Sequence, residues 1–178
     1  AIGVGAGDTV VIHGAAGSLG SFAVQLAKEW GAKKVIGTAS ESNHDYLRSL
    51  GAIPVTYGEG LVERIRAIAP EGIDAAFDTA GAEAVRASVE LVKDRNRICT
   101  FVAYELNEEL GLRTIRSERT AARLAELVDL HAKGKLRIPI RETFRLEQAA
   151  DAHRLIETRH GRGKIVLTFD ESMKEGTS

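Results

Sequence analysis

Short apolar runs alternate, over the first half of the chain, with segments in which apolar residues recur every three or four positions. The short runs predict buried strands, and the periodic segments predict amphipathic helices. The predicted strands are residues 9–12, 34–39, 53–57, 73–78 and 97–102. The predicted helices are 18–30, 42–50, 61–68 and 84–92, the first with apolar residues at positions 19, 22, 23, 26, 27 and 30. Regular alternation of this kind indicates an α/β fold, a doubly wound parallel sheet covered by helices on both faces.

The second half of the chain has a different pattern. It predicts an edge strand at 112–116, a helix over 120–131, an extended piece at 136–140, a helix over 146–158 and a final strand at 164–169. We therefore expect a first domain at 1–134, a C-terminal portion of one helix and two strands at 135–170, and a disordered polar tail at 171–178.

The turn between the first predicted strand and helix is rich in glycine. Gly17 and Gly20 are spaced like the last two glycines of G-x-G-x-x-G, and Ala15 replaces the first. A helix start offers unpaired N–H groups and the positive end of the helix dipole, both of which favour a phosphate. A side chain at Gly17 would keep a pyrophosphate from the backbone, and one at Gly20 would push the helix off the strand. The turn predicts a Rossmann-type dinucleotide site over Ala16, Gly17, Ser18, Leu19 and Gly20.

Three other interpretations of this turn exist. A P-loop needs a lysine at the end of the turn, and no lysine occurs here before Lys28. A nucleophile elbow at Ser18, with Asp78 and His153 following in hydrolase order, would need several strands before the turn, and only eight residues precede the first strand. A tight strand-to-helix turn without a ligand is the third. We favour the dinucleotide site, and the hydrolase stays an alternative.

The end of the second strand predicts which dinucleotide binds. An acid about 20 residues after the glycine turn binds the ribose of NAD, whereas a small or basic residue there admits the 2′-phosphate of NADP. Ser40 ends this strand and its hydroxyl can donate to phosphate; it could equally cap the next helix. Asn43, His44 and Arg48 add donors, while Glu41 would be the ribose acid if the alignment shifted by one residue. The pattern favours NADP(H), with NAD as the alternative.

Composition narrows the class of protein. The 178 residues are 28% charged with a net charge of −1, which gives no electrostatic basis for binding nucleic acid or an anionic membrane. No apolar run approaches the roughly 18 residues of a membrane span. The single cysteine, Cys99, fits a reducing cytoplasm and should be a small buried filler. His153 and His160 lack a third ligand arranged with them, so we predict no metal site.

Several segments resemble one protein family. GDTVVIHGAAGSLG at 7–20 and AVQLAK at 23–28 are similar to the zinc-independent quinone oxidoreductase branch of the medium-chain dehydrogenase/reductases. The resemblance continues through LGA at 50–52, FDTAG at 77–81, GKL at 134–136, AADAH at 149–153 and GRGKIVL at 161–167. It covers nearly the whole chain.

The resemblance implies an NADPH-dependent enzyme that passes hydride to quinones, enones or related carbonyl compounds. It implies that Ser40 meets the 2′-phosphate, with Asn43 where many members have a lysine, and that Tyr57 lies near the adenosine. The residues that it places along the ribose and nicotinamide are Thr79, Ala80, Phe101, Val102 and Ala103. It names no general acid in this chain.

The family also has an N-terminal catalytic domain that this sequence does not contain. The resemblance implies that the final strands pair with that domain, so we expect a part of a longer protein that binds cofactor without useful turnover alone. A homodimer through the 112–116 edge is a further expectation. Two alternatives remain: a non-catalytic NADPH-sensing or scaffold module, and the enoyl-reductase module of a polyketide synthase.

Some polar residues in these segments are expected to be structural. His13 is expected to be buried or to face the turn rather than to act as a base, and His153 is expected to pack in the core. Glu63, Arg64 and Arg66 are expected to form a solvated helix face. Asp78 ends the fourth predicted strand, where it could hold a loop amide or a ligand equally well.

Overall fold

The computed structural model describes residues 2–112, 114, 119–158 and 161–169, and the chain divides into two compact units at residues 136 and 137. In the first unit, five parallel strands form one sheet in the order β3-β2-β1-β4-β5. The strands are β1 (Thr9–His13), β2 (Lys34–Ala39), β3 (Ile53–Thr56), β4 (Ala75–Asp78) and β5 (Ile98–Thr100). Because the strand order reverses between β1 and β4, the sheet is doubly wound, which confirms the predicted Rossmann-type α/β fold.

Helices connect these strands and enclose two apolar cores, one on each face of the sheet. The helices are α1 (Ser18–Glu29), α2 (His44–Ser49), α3 (Leu61–Ile68), α4 (Ala82–Leu91), α5 (Leu106–Leu110) and α6 (Ala121–Ala132). Val11 packs in one core, whereas its neighbours Val10 and Ile12 pack in the other. β1 is therefore buried on both sides, because successive strand residues point to opposite faces.

The register of the sheet brings the carboxyl ends of the strands to one edge. Ala39 pairs with Thr56, His13 with Asp78, and Asp78 with Thr100. The residues that leave the sheet after these pairs are Gly14, Ser40, Tyr57, Thr79 and Phe101. The candidate site lies along this edge, as expected for an open parallel sheet.

Helix α1 is confirmed, but the face that it buries differs from the predicted one. Its buried residues are Gly20, Ser21, Val24, Gln25 and Ala27, and the predicted Leu19 and Trp30 are about half exposed. At Gly20 the backbone of α1 lies very close to the backbone of Gly14 and Ala15. The side of the helix that contains Gly20 therefore faces the sheet. The buried Gln25 amide donates to the Ser21 carbonyl at 3.1 Å, which satisfies one of its donors.

An arginine next to β5 holds the irregular segment before β1. Arg97 makes a two-pronged ion pair with Asp8, at 2.7 and 3.2 Å, and donates to the carbonyls of Ile2 and Gly3. The Arg97 hydrogen bond holds the pKa of the Asp8 carboxyl below its usual range. We call this set of contacts the Arg97 clasp.

The second unit is a small βαβ motif. Strands β6 (Ile140–Arg145) and β7 (Lys164–Thr168) pair in parallel, and helix α7 (Ala149–Glu157) connects them. The extended piece expected at 136–140 is wrong in its bounds, since the strand begins at Ile140. His153 is exposed rather than packed in the core.

Two further expectations concern the end of the first unit. The predicted helix over 120–131 is confirmed as α6, although Leu124 and Val128 on its apolar face are 63% and 59% exposed. The edge strand predicted at 112–116 lies mostly outside the described residues, and the tail predicted at 171–178 lies wholly outside them. None of the described helices has the length and apolar character needed to cross a membrane.

Candidate dinucleotide-binding site

Three backbone features fix the turn between β1 and α1. Gly14 has φ +68°, and a Cβ on it would lie 2.5 Å from the Thr79 hydroxyl oxygen. The Gly14 carbonyl accepts from the Gly17 N–H at 3.0 Å. A Cβ on Gly20 would lie 2.3 Å from that same carbonyl oxygen. Gly20 therefore sets the contact of helix with strand, as predicted, while the need for glycine at position 14 was missed.

The start of α1 has the properties of an anion site. Gly17 is exposed and caps the helix without a side chain, and the first turn contains no acidic residue. The first N–H groups of an α-helix have no partner within the helix. Ser18 and Leu19 are the next residues of this turn, with Ala16 before it. A pyrophosphate is therefore compatible with this helix start, and Gly17, Ser18 and Leu19 would hold it.

The Ser18 hydroxyl does not form a nucleophile elbow. Its oxygen is buried and hydrogen-bonds to no group in the described part of the chain. Asp78, the proposed acid of that arrangement, is fully buried and accepts from two loop amides. An elbow presents its serine to the substrate. The geometry therefore does not support the hydrolase alternative.

Ser40 and Asn43 form a small polar cluster after β2. The Ser40 hydroxyl oxygen accepts from the Asn43 amide at 2.9 Å and lies 3.1 Å from the Ser42 hydroxyl. Ser40 occupies the N-cap position of the short helical turn over Glu41–Asn43, as the capping interpretation predicted, but its side chain makes no capping bond there. Arg48, one of the expected donors, pairs with Asp45 at 2.6 Å. The residue that directly follows β2 is thus a neutral hydroxyl, which suits a phosphate better than a carboxylate would.

Asp78 organises the turn after β4. One of its oxygens accepts from the N–H groups of Ala80 and Gly81, at 2.8 and 3.1 Å, and the other accepts from the Thr100 hydroxyl at 2.7 Å. The Thr79 hydroxyl donates to the carbonyl of His13 at 2.8 Å. Of the two roles expected for Asp78, the structure shows the one in which it holds loop amides.

Thr100 extends this arrangement to the next loop. Its hydroxyl oxygen accepts from the N–H groups of Val102 and Ala103 at 3.2 and 3.0 Å. The Phe101 N–H donates to the Asp78 carbonyl at 2.9 Å, and the Phe101 ring packs on Phe77 at a centroid distance of 5.3 Å. Val102 is half exposed, whereas Ala103 is buried. One buried carboxylate thus holds both loops expected along the ribose and nicotinamide.

His13, the last residue of β1, is buried in a neutral form and contacts side chains of β2 and α4. Its Nε2 lies 3.1 Å from the Ser88 hydroxyl, which itself donates to the Ala84 carbonyl. Nε2 is therefore the protonated nitrogen, and Nδ1 accepts from the Thr38 hydroxyl at 3.2 Å. Burial lowers the pKa of His13 to about 4, and the Asp78 charge opposes this shift. His13 is fully buried, which agrees with the expectation of a buried or turn-facing histidine.

Lowering the pH should therefore reduce the free energy of unfolding, because the buried His13 imidazole resists protonation. The unfolded imidazole takes up a proton near pH 6.5, while the folded one stays neutral down to about pH 4. The stabilisation is complete above pH 6.5 and is lost as the pH falls through this window, by about 3 kcal/mol. Urea unfolding at pH 7.5 and 4.5 would measure the loss. An NMR titration of the His13 imidazole with a midpoint near 6.5 would contradict it.

Cys99 matches its expected role. It is buried within β5, and burial raises the pKa of its thiol to about 12, so it is not a reactive thiolate. No group of three or more His, Cys, Asp or Glu side chains is placed to hold a metal ion in the residues that the structure describes.

The sheet order and the glycine turn define a Rossmann-type domain, and the start of α1 at its sheet edge is compatible with an anion. A family model described as zinc-binding dehydrogenase matches residues 50–167, more than half of the chain. The chain belongs to this family, within the medium-chain dehydrogenase/reductase superfamily, which confirms the resemblance found in the sequence.

Similar proteins agree with this placement. The quinone oxidoreductase from Coxiella burnetii is 33% identical, with a TM-score of 0.77 over 94% of this chain and 54% of that chain. The mycobacterial protein Rv1454c, solved in complex with NADPH, is 26% identical, with a TM-score of 0.75 over 92% of this chain and 57% of that chain. The polyketide synthase component PikAII of Streptomyces venezuelae is 30% identical over 198 residues, 96% of this chain and 5% of that protein.

The match in length is partial. The chain spans about half the length of most curated relatives that it matches, between 42% and 52% for three of them. The activities of those proteins belong to chains that extend well beyond the matched region.

Proposed function

We propose that this chain is the NADPH-binding portion of an oxidoreductase that reduces quinones or conjugated enones without zinc. The observation that supports the proposal best is the shared edge, where the start of α1, which has no side-chain cap, lies beside the Ser40 cluster and the loops held by Asp78. Quinone oxidoreductases, and a relative solved with NADPH, are among the similar structures.

The bound cofactor would supply the hydride, and the chain would bind and orient it. The start of α1 would hold the pyrophosphate. Ser40, Asn43 and Tyr57 would contact the adenosine end, and Thr79 and Phe101 would border the ribose and nicotinamide. No general acid is identified among the described residues. We expect cofactor binding without normal turnover by these residues alone.

Titration of the chain with NADPH and NADH tests the proposal. Trp30 is about half exposed at the end of α1, and energy transfer from it to the reduced nicotinamide reports binding. We expect saturable binding with NADPH tighter than NADH. Absence of saturable transfer with either nucleotide would contradict the proposal.

Replacing Ser40 with aspartate should reverse the preference between nucleotides. A carboxylate at this position repels the 2′-phosphate and can accept from the ribose hydroxyls of NADH. We expect NADPH affinity to fall about tenfold or more while NADH affinity is kept or improved. Ser49→Asp is the matched control, because Ser49 is exposed and donates to the Tyr46 carbonyl. An equal loss for both nucleotides would count against a 2′-phosphate site at Ser40.

A second candidate is the enoyl-reductase module of a polyketide synthase, which the similarity to PikAII favours. The cofactor site would be the same, and the substrate would be an enoyl thioester on a carrier. Assays of the parent protein with quinones and with enoyl thioesters would separate the two. A cytoplasmic setting and a homodimer through 112–116 stay predictions.

A further inference from the structure

The loop between β3 and α3 contains Tyr57 and has little regular structure. Gly58 and Gly60 have φ of +91° and +72°, in the left-handed region. Their backbone turns several carbonyl groups of the loop toward Arg64, in the first half of α3. The Gly58 carbonyl accepts from the Leu61 N–H at 3.1 Å, and a side-chain partner contacts the carbonyls of Thr56 and Glu59.

Arg64 is that partner. Its Nη2 donates to the Thr56 carbonyl at 2.9 Å, and its Nη1 donates to the Glu59 carbonyl at 2.7 Å. Longer contacts at 3.5 and 3.4 Å reach the carbonyls of Tyr57 and Gly58. One guanidinium group thus contacts four successive carbonyl oxygens. The expectation that Arg64 belongs to a solvated helix face is wrong, although its neighbours Glu63 and Arg66 are exposed.

The position of the loop matters because Tyr57 leaves the sheet next to Ser40. Thr56 pairs with Ala39 across β3 and β2, so the following residues, Tyr57 and Ser40, emerge side by side. The Tyr57 side chain is 60% exposed, and its direction therefore depends on its backbone. The converging carbonyl oxygens carry partial negative charge, which would repel an anionic ligand. The positive charge of Arg64 offsets it.

We infer that Arg64 is a positioning residue, which fixes the 56–59 backbone so that Tyr57 contacts the adenosine end of NADPH. The inference rests on the proposed function and assigns to Arg64 no contact with the cofactor. Lysine is a poor substitute, because a single ammonium group lacks the planar fork that reaches both Thr56 and Glu59.

A double-mutant cycle on NADPH affinity tests this role. We expect Arg64→Ala to raise the Kd for NADPH about tenfold, through loss of the charged hydrogen bonds that hold the loop. If Arg64 acts through Tyr57, adding Arg64→Ala to Tyr57→Ala should change the Kd by less than about twofold. Arg64→Lys should recover only part of the affinity. Arg66→Ala is the control, since Arg66 is exposed two residues further along α3.

The outcomes separate this inference from the proposed function. Additive effects of the two substitutions, or an unchanged Kd in Arg64→Ala, overturn the positioning role while NADPH binding by the unaltered chain stands. Failure of the unaltered chain to bind NADPH overturns both. If Arg64→Ala does not fold, the cycle is run with Arg64→Lys, and additivity there has the same meaning.

Discussion

Replacing Gly20 with alanine is expected to destabilise the fold by about 4 kcal/mol, because the new methyl group has no space. It would lie 2.3 Å from the Gly14 carbonyl oxygen and 2.7 Å from the Ala15 Cα. Both are backbone atoms and cannot rotate away, so α1 would have to move off β1. Chemical unfolding monitored by circular dichroism measures the loss.

Gly17→Ala is the matched control for this experiment. Gly17 has φ −70°, and a Cβ there would meet only the Gly14 carbonyl oxygen, at 3.2 Å. A shift of a few tenths of an ångström relieves that contact, so the fold should be kept. NADPH affinity should nonetheless fall in Gly17→Ala if a pyrophosphate rests on this turn. Equal stability of Gly20→Ala and the unaltered chain would show that α1 does not approach β1 as described.

Replacing Asp78 with alanine is expected to cost about 4 kcal/mol and to abolish NADPH binding, since three donors lose a buried acceptor. These are the N–H groups of Ala80 and Gly81 and the hydroxyl of Thr100. The loops after β4 and β5 would lose their shared partner together. Unfolding measurements and the NADPH titration report the two effects.

Asp78→Asn removes the charge of this residue but keeps the hydrogen bonds to the two loop N–H groups. The amide keeps an oxygen for the two loop N–H groups but presents a donor to Thr100. We expect a smaller loss, of about 2 kcal/mol, with weakened NADPH binding. Asp45→Ala, at an exposed ion pair on α2, is the control and should be nearly neutral. An Asp78→Ala variant with unchanged stability and unchanged NADPH binding would contradict the role given to this carboxylate.

The sequence predicted the sheet well because its central strands are buried on both faces. Each of the five predicted strands is present, with ends within two residues of the predicted ones. The strands pair in parallel in one sheet, as their alternation with helices predicted. Apolar content marks such strands directly. Helix α5 has only five residues, too few for a period to show, and it was not predicted.

The errors lie where tertiary contacts override local pattern. The face of α1 depends on the approach at Gly20, which the apolar residues around it do not encode. His153 lies on an apolar stripe of α7, yet it is exposed in the described structure. The strand β6 contains Arg141, Glu142 and Arg145, and so lacks the apolar run that identifies the central strands.

The sequence predicted the location of the site residues better than it predicted the groups that hold them in place. The structure brings Gly17, Ser40, Tyr57, Thr79 and Phe101 to one edge, as the alternation of strands implies. Gly14, Thr100 and Arg64 were missed. A glycine directly after a strand is a signal that could have indicated Gly14. The pairing of Thr100 with Asp78, and of Arg64 with loop carbonyls, depends on three-dimensional neighbours and has no sequence pattern.

The Arg97 clasp has a practical consequence for shortened versions of this protein. The segment before β1 belongs to no strand, yet Ile2, Gly3 and Asp8 are all held by Arg97, beside the edge strand β5. A truncation that starts at β1 would strip this arginine of its counter-ion and both carbonyl acceptors at once. Recombinant boundaries for crystallisation or NMR should therefore keep the irregular segment before β1, residues 2–8.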